Sequence, residues 1–117
     1  MSAVDKCLFC DIANKTIPAE IIYETKNVIA FHDINPEAPL HCLIIPKMHI
    51  ATINELDAKN SFVVAYLYEA AAEIADKYNV AKEGYRVVMN CNKDAGQTVF
   101  HLHLHLLAGR KLSWPPG

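Results

Sequence analysis

Five short segments of this chain have the composition of β-strands, and polar turns or prolines separate them. Residues 20–24 and 28–32 are rich in β-branched and aromatic side chains and flank the polar turn 25–27, which predicts a hairpin. Residues 41–45 form an apolar run that ends at Pro46, which indicates a central strand covered on both faces. Residues 85–90 and 99–107 are joined by a short polar connection, which favours an antiparallel meander.

One longer segment has helical spacing instead. Apolar residues recur at i, i+3 and i+4 from Phe62 to Tyr78, which predicts a helix of about four turns. Asn60 or Ser61 can cap its first turn.

Residues 5–13 predict a short amino-terminal turn or helix, which Pro18 prevents from continuing. With the five strand segments and the long helix, this gives the α+β class. We expect a five-stranded antiparallel sheet with one long helix and a short amino-terminal helix, in a single domain over residues 1–117.

The last strand segment carries the candidate chemistry, because histidine alternates with leucine at residues 101–106. Side chains of a strand point alternately to opposite faces, so the histidines share one face, about 6.6 Å apart, and the leucines anchor the other in the core. The polar loop 90–98 before it contains one glycine, which allows backbone N–H groups to approach an anion. Imidazoles and N–H donors together indicate a phosphate site. The alternative is an edge strand with polar side chains facing water.

Charge and hydropathy narrow the class of function. The chain has 117 residues and a formal net charge of −2, and no run of Lys or Arg exceeds two residues, so nothing favours nucleic-acid binding. No apolar run approaches the ~20 residues of a membrane span, and no signal-peptide core stands near the amino terminus. We therefore expect a soluble, cytoplasmic protein (also nuclear, if the source is eukaryotic) that binds neither nucleic acid nor membrane.

The four cysteines fit a reducing compartment better than a disulfide framework. Cys42 lies in an apolar run and is expected in the core, and Cys91 has no assigned role. Cys7 and Cys10 form a Cys-x-x-Cys pair, which is half of a tetrahedral zinc site. The alternatives are two buried thiols or a redox pair, although a redox pair normally has a βαβ context that this chain lacks.

The His-Leu-His-Leu-His-Leu-Leu stretch resembles the motif that names the histidine triad (HIT) superfamily. Further motifs are similar to those of its nucleotide-binding-protein branch, occur in the same order and extend over nearly the whole chain. They are Phe-His-Asp-Ile at 31–34, Ala-Pro-Leu-His at 38–41, Ile-Pro-Lys-Met-His at 45–49, Gly-Gln-Thr at 96–98 and Trp-Pro-Pro-Gly at 114–117.

The resemblance implies that His103 attacks phosphorus and forms a covalent nucleotidyl-histidine, as a neutral imidazole with a free nitrogen can. His105 would contact the phosphate oxygens or the leaving atom, and His41 would support proton transfer from outside the triad. Further phosphate contacts would come from the loop residues Asn90, Gly96, Gln97 and Thr98. The branch often has serine where Thr98 stands, and threonine keeps the hydroxyl.

For the nucleoside, the resemblance matches Asp33 to the family's ribose-binding aspartate, since a carboxylate accepts hydrogen bonds from two hydroxyls. His32 would lie beside the nucleotide. The residues that resemble the walls of the base site are Leu8, Phe9, Ile12 and Ile34. Each of these apolar residues could instead belong to the ordinary core, Leu8 and Ile12 above all.

The resemblance also completes the metal site and suggests an assembly. Relatives with the Cys-x-x-Cys pair add two histidines, here His49 and His101, to form a closed zinc site whose role is structural. The family further implies a homodimer, built on the long helix and strand 85–90, with the sheet extended across the subunits. The carboxyl-terminal segment with Trp114 would lie near the partner's active site.

The function implied is that of a purine nucleoside phosphoramidase, which cleaves the P–N bond of substrates such as adenosine 5′-phosphoramidate. Aminoacyl-AMP, whose leaving group is joined through a P–O bond, is the other substrate implied. Its small-molecule ligand would be a purine nucleoside monophosphate or phosphoramidate. Other branches hydrolyse dinucleoside polyphosphates and tend to have glutamine where this chain has His105. Two alternatives stay open: a nucleotide-dependent interaction protein with vestigial catalysis, and a zinc module with no nucleotide site. The second leaves Asp33, Gln97 and Thr98 unexplained.

Overall fold

The computed structural model describes residues 7–117, which form one sheet with a helix on each face. The helices are α1 (Leu8–Ala13) and α2 (Phe62–Lys77), and the strands are β1 (Ile21–Glu24), β2 (Val28–His32), β3 (Leu40–Pro46), β4 (Tyr85–Val88) and β5 (Leu104–Ala108). Short 3₁₀ turns occupy Ile53–Glu55 and Lys93–Ala95. Residues 5 and 6 of the predicted amino-terminal helix lie outside the described residues, and the remainder of that prediction is confirmed by α1.

The five strands are antiparallel and lie in the order β1-β2-β3-β5-β4, which confirms the predicted sheet. All seven residues of β3 are buried, as expected for a central strand covered on both faces. The hairpin turn between β1 and β2 is held by the Thr25 hydroxyl, which accepts hydrogen bonds from the N–H groups of Asn27 and Val28 at 3.2 and 3.1 Å. The register of β3 against β5 pairs Leu43 with His105.

The two faces of the sheet carry separate cores. The face under α2 buries alternate residues of the central strands, among them Cys42 and Ile44, against Leu67 and Ile74 of the helix. The opposite face buries the intervening residues with Phe9 and Ile12 of α1. The side chains of His101 and His103 lie on this second face, against Phe9, so α1 packs beside the candidate site.

The long helix confirms the predicted apolar face, and its start differs from the expectation. The Asn60 side chain does not cap the first turn, because its amide is already bound to Asp57 N–H and the Glu55 carbonyl, and Ser61 makes no capping hydrogen bond with its side chain. The backbone carbonyls of both residues accept the first helical N–H groups instead. In the part of the chain that the structure describes, no helix is long and apolar enough to cross a membrane.

The last two strands are shorter than predicted. β4 ends at Val88 rather than residue 90, and β5 begins at Leu104 rather than residue 99. The register places Pro46 opposite residue 102, and a proline has no N–H to donate to the ladder, so the pairing stops there. Leu102 N–H donates to the Ile50 carbonyl at 2.6 Å instead. The placing of His101 and His103 inside a strand was therefore wrong.

Candidate active site

Histidine and leucine side chains of residues 101–106 still point to opposite faces, although residues 101–103 are not paired in the sheet. Leu102, Leu104 and Leu106 are fully buried in the core under α2. The histidines point to the other face, where the rings of His103 and His105 lie 5.1 Å apart. The predicted one-face arrangement therefore holds for these residues although, of the three histidines, only His105 belongs to β5.

His103 has one nitrogen fixed and one left for chemistry. Its Nδ1–H donates to the His101 carbonyl at 2.7 Å, so the lone pair of the neutral ring is on Nε2. Phe9 packs edge-on against this ring at 5.0 Å, and burial lowers the pKa of His103. The neutral, nucleophilic form is therefore favoured near neutral pH.

His41 and His105 form a hydrogen-bonded pair whose proton positions follow from a backbone group. The Glu37 N–H donates to Nδ1 of His41 at 3.0 Å, which leaves the proton of His41 on Nε2. That Nε2–H donates to Nδ1 of His105 at 3.0 Å and lies 3.4 Å from Oδ2 of Asp33. His105 consequently carries its own proton on Nε2. Burial, and then the neighbouring His103 and His41, lower the pKa of His105 to about 4.

A cavity of about 320 Å³ gathers the residues predicted for the nucleoside. All six predicted side chains line it: Leu8, Phe9, Ile12, His32, Asp33 and Ile34. Ile12 is buried, whereas Ile34 is 91% exposed at the rim. The His32 ring packs edge-on against Tyr78 at 6.3 Å, and its Nε2 lies 3.9 Å from a carboxylate oxygen of Glu20.

Half of this cavity was not anticipated from the sequence. Its other walls are Ile17, Pro18, Ala19, Glu20, Phe31 and Leu43. The only sequence signal was the apolar Ile17–Pro18 pair just after α1, where a solvent-exposed linker would ordinarily be polar. Phe31 and Leu43 alternate with core residues, so nothing in their pattern distinguishes a cavity wall from a core position.

The loop before the triad is held by Gln97. This side chain is buried, its Oε1 accepts from Asn92 N–H at 2.8 Å, and its Nε2 donates to the carbonyls of Ala51 and Val99 at 2.9 and 3.1 Å. The Gln97 amide group therefore binds backbone groups of the loop and its neighbours, and its role is to hold the loop in shape. Thr98 is exposed and lines a second cavity, of about 340 Å³, together with Cys7 and His49.

The four predicted metal ligands converge. Ligand atoms of Cys7, Cys10, His49 and His101 all lie within 4.8 Å of one another. Nδ1 of His101 lies 3.4 and 3.5 Å from the two sulfurs and 3.2 Å from Nδ1 of His49. Tetrahedral zinc with bonds of ~2.0–2.3 Å has ligand–ligand edges of about 3.3–3.8 Å, so the three separations from Nδ1 of His101 agree with it to within about 0.1 Å.

The protonation of the cluster also suits a metal. Nε2 of His101 donates to the Pro46 carbonyl at 2.8 Å, which leaves the Nδ1 lone pair facing the sulfurs. Burial and the neighbouring Cys7 raise the pKa of the Cys10 thiol to about 12 when no cation is bound, so a cation is needed to stabilise the thiolate. Cys42 is fully buried in the core, as predicted, and Cys91 is half-buried in the loop.

Comparisons with known proteins indicate the same family as the sequence motifs. The HIT domain pattern matches residues 14–112. A purine nucleoside phosphoramidase of Escherichia coli is 42% identical over 108 residues, which are 92% of this chain and 91% of that protein. A HIT family hydrolase of Legionella pneumophila superposes with a TM-score of 0.92 at 50% identity, covering 95% of this chain and 99% of that one. A histidine triad protein of Clostridium difficile gives 0.91 at 42% identity, covering 97% of both.

Proposed function

Because this chain belongs to the HIT family, we propose that it is a hydrolase that cleaves the P–N bond of purine nucleoside 5′-phosphoramidates such as adenosine 5′-phosphoramidate, and that aminoacyl-AMP, whose leaving carboxylate is joined through a P–O bond, is a second substrate. The observation that carries the proposal is His103, whose Nδ1 is fixed by a carbonyl while Nε2 makes no hydrogen bond to any of residues 7–117. Phe9 contacts both this ring and the cavity of about 320 Å³, so a nucleoside held there places its 5′-phosphate near His103. The similarity to the Escherichia coli phosphoramidase supports the choice of bond.

In the first step, Nε2 of His103 attacks the α-phosphorus, a P–N bond to the ring forms, and the P–N bond to the leaving amine breaks. The amine takes a proton from Nε2 of His105. Since the bound substrate is anionic, the His41–His105 pair takes up one extra proton on binding. Nδ1 of His105 receives it while the Nε2–H of His41 turns to Oδ2 of Asp33, 3.4 Å away, so His105 is neutral after it donates from Nε2.

In the second step, water attacks the phosphorus of the nucleotidyl-histidine. Nε2 of His105 accepts the proton of that water, the bond to His103 breaks, and the nucleoside monophosphate leaves. Each histidine then regains its starting proton, so the cycle consumes one water and releases one amine. The fixed Nδ1–H of His103 keeps the same nitrogen available for the next turnover.

For the nucleoside, we propose that Asp33 accepts hydrogen bonds from the ribose hydroxyls and that the apolar walls enclose the base. The Asp33 Oδ1 already accepts from Asn35 N–H at 2.8 Å, which fixes the direction of the carboxylate. Asn90, Gly96 and Thr98 are proposed to contact the phosphate oxygens, with Gln97 shaping the loop they occupy.

The test is release of AMP from adenosine 5′-phosphoramidate by wild type and by His103→Ala. We expect the variant to lose at least about 10³-fold in kcat, since removal of a nucleophile leaves only binding and positioning. Cys91→Ala is the matched control in the adjoining loop and should retain wild-type kcat. Equal rates in wild type and His103→Ala would exclude this mechanism, and tight AMP binding without turnover would favour the interaction-protein alternative.

We also propose that Cys7, Cys10, His49 and His101 hold a structural zinc ion. Two thiolates and two imidazoles are the donor set that zinc prefers. Four protein ligands leave no open position for water, so the ion would link α1 to the residues around Ile50 and to the triad segment.

A homodimer is the assembly we propose. Phe62 and Tyr68 of α2 are 49% and 50% exposed, and β4 is an edge strand of the described sheet. Pairing would cover both features and extend the sheet across the subunits. Light scattering at micromolar concentration should give twice the chain mass, and a monomeric mass would exclude the dimer. The cytoplasmic location and the single domain over residues 1–117 stay predictions.

A further inference from the structure

Outside the metal cluster, one other group of metal-ligand side chains is close together within residues 7–117: Asp33, His41 and His105. Two imidazoles and a carboxylate are a familiar set of metal ligands. Their proton positions argue against a metal here. A neutral imidazole bound to a cation through Nε2 carries its proton on Nδ1, yet Nδ1 of His41 faces the Glu37 N–H at 3.0 Å. The Nδ1–H of His41 and the N–H of Glu37 would then both be donors and would face each other without an acceptor.

The Glu37 peptide is itself held in place. Nε and Nη2 of Arg110 donate to its carbonyl at 3.1 and 3.0 Å, while its N–H donates to His41. Asp33 N–H donates to the His41 carbonyl at 2.9 Å and closes the loop between β2 and β3. This loop therefore sets the proton of His41 on Nε2. The cluster is organised to hold a proton, whereas His101 in the metal cluster has the opposite arrangement.

An extra proton on the His41–His105 pair goes to Nδ1 of His105, so the Nε2–H of His41 needs another acceptor and the added charge needs a compensating one. His41 is only 6% exposed, so water gives the pair little stabilisation. Among the groups that act electrostatically on His105, His103 and His41 disfavour its charged form, and Asp33 favours it. The Asp33 carboxylate lies 3.4 Å from Nε2 of His41 and is the anion in contact with the pair.

Resting on the function proposed above, we infer that Asp33 has a second role besides holding the ribose. It is the positioning residue that holds the extra proton on the His41–His105 pair, and it thereby couples recognition of the sugar to the chemical step. A carboxylate has about four lone-pair sites. With Oδ1 bound to Asn35 N–H and Oδ2 facing His41, sites remain for the ribose hydroxyls, which would fix the carboxylate in its contact with His41.

The kinetic test compares adenosine 5′-phosphoramidate with its 2′-deoxy counterpart in wild type, Asp33→Asn and Glu20→Gln. Asn keeps the shape and the Oδ1 acceptor but removes the charge. We expect Asp33→Asn to lower kcat by about 10- to 100-fold besides raising KM, which is less than the ~10²–10⁴-fold of general acid catalysis because His105 itself is kept. In wild type, kcat and affinity should both be lower for the 2′-deoxy substrate than for the ribose substrate. In Asp33→Asn, kcat should be the same for the two substrates.

Glu20→Gln removes the same charge from the same cavity without contact with His41. It should therefore affect KM and leave the kcat ratio of the two substrates at the wild-type value. A rise of KM alone in Asp33→Asn would reduce Asp33 to a sugar contact and overturn the inference. Equal losses of kcat in both variants would overturn it too, because any charge in the cavity would then suffice.

A spectroscopic test does not depend on turnover. With AMP bound at neutral pH, ¹⁵N spectra of the imidazoles should show one extra proton on the His41–His105 pair of wild type and none in Asp33→Asn. The same protonation in both proteins would overturn the inference. If wild type fails to cleave the phosphoramidate while AMP still induces the proton only in wild type, the proposed function is wrong and the role of Asp33 stands.

Discussion

Removal of the metal is the perturbation whose effect on stability can be worked out from the structure. The proposed ligands come from α1, from the segment after β3 and from the triad segment, so the ion would connect three parts of the chain that are distant in sequence. A ligand present at about 1,000 times its dissociation constant stabilises a folded protein by about 4 kcal/mol. For a domain of this size, that corresponds to a fall in Tm of about 15 °C when the metal is removed.

The metal-free protein should nevertheless stay folded and active. The cluster retains hydrogen bonds when no cation is present, among them Cys10 Sγ with Nδ1 of His49 at 3.2 Å. His101 keeps its bond to the Pro46 carbonyl, so the carbonyl of His101 still orients His103. We therefore expect kcat for AMP release to fall by no more than about threefold, far less than loss of a catalytic group would cause.

The assay combines elemental analysis, calorimetry and AMP release on protein purified without chelator and again after chelation. About one zinc per chain is expected by the four-ligand stoichiometry. The Cys7→Ala/Cys10→Ala double variant should have the lower Tm from the start and should not respond to chelator, whereas Cys91→Ala should respond like wild type. Zinc-free protein with reduced, intact Cys7 and Cys10 would refute the site. Loss of turnover with unchanged Tm would refute the division between structural and catalytic histidines.

Three further predictions follow from single features of the fold. Burial lowers the pKa of His105 to about 4, below its unfolded value, so its stabilising contribution is complete above about pH 6.5 and is lost as the pH falls toward 4. In urea denaturation, the free energy of unfolding should therefore fall less steeply over this pH range in His105→Gln than in wild type. Equal slopes of that free energy against pH would contradict the assignment. Gly109→Ala places a methyl 2.8 Å from Cβ of Pro39 and should cost about 1–3 kcal/mol more than Gly84→Ala, which shares a positive φ but meets nothing within 4 Å; equal melting temperatures would show that the loop yields. Trp114 is 79% exposed, and Cζ of Arg86 lies 5.8 Å from its ring centroid. In the proposed dimer the tail would lie near the partner's active site, so deleting residues 114–117 should change the ratio of kcat/KM for two phosphoramidates before it changes Tm. A fall in Tm alone would assign the tail a purely structural role.

Much of the fold was predictable because hydrophobic periodicity reports which face of an element is buried. The helical spacing located α2 within a residue of its observed end, and the apolar run of β3 identified the central strand. Strand ends were harder, since they depend on which partner lies opposite. β5 begins late because Pro46 is opposite residue 102, a pairing that local sequence does not show.

The candidate site was predictable to the extent that it is encoded in motifs. The alternation of histidine and leucine placed the histidines on one face, and the Cys-x-x-Cys pair was found beside His49 and His101. Proton positions were not accessible, because they are set by backbone groups such as the Glu37 N–H that only the fold brings near. The role of Gln97 was also hidden, since its partners Ala51 and Val99 come from different segments.

The most direct test of the central claim is to identify the atom that carries the nucleotide during turnover. Wild type should be mixed with adenosine 5′-phosphoramidate, quenched within one turnover under conditions that preserve phosphorus–nitrogen bonds, digested and mapped by mass spectrometry. We expect an adenylyl group on His103, absent in His103→Ala and longer-lived in His105→Ala, where the water lacks its proton acceptor. Adenylation of His105 or His41, or its persistence in His103→Ala, would contradict it.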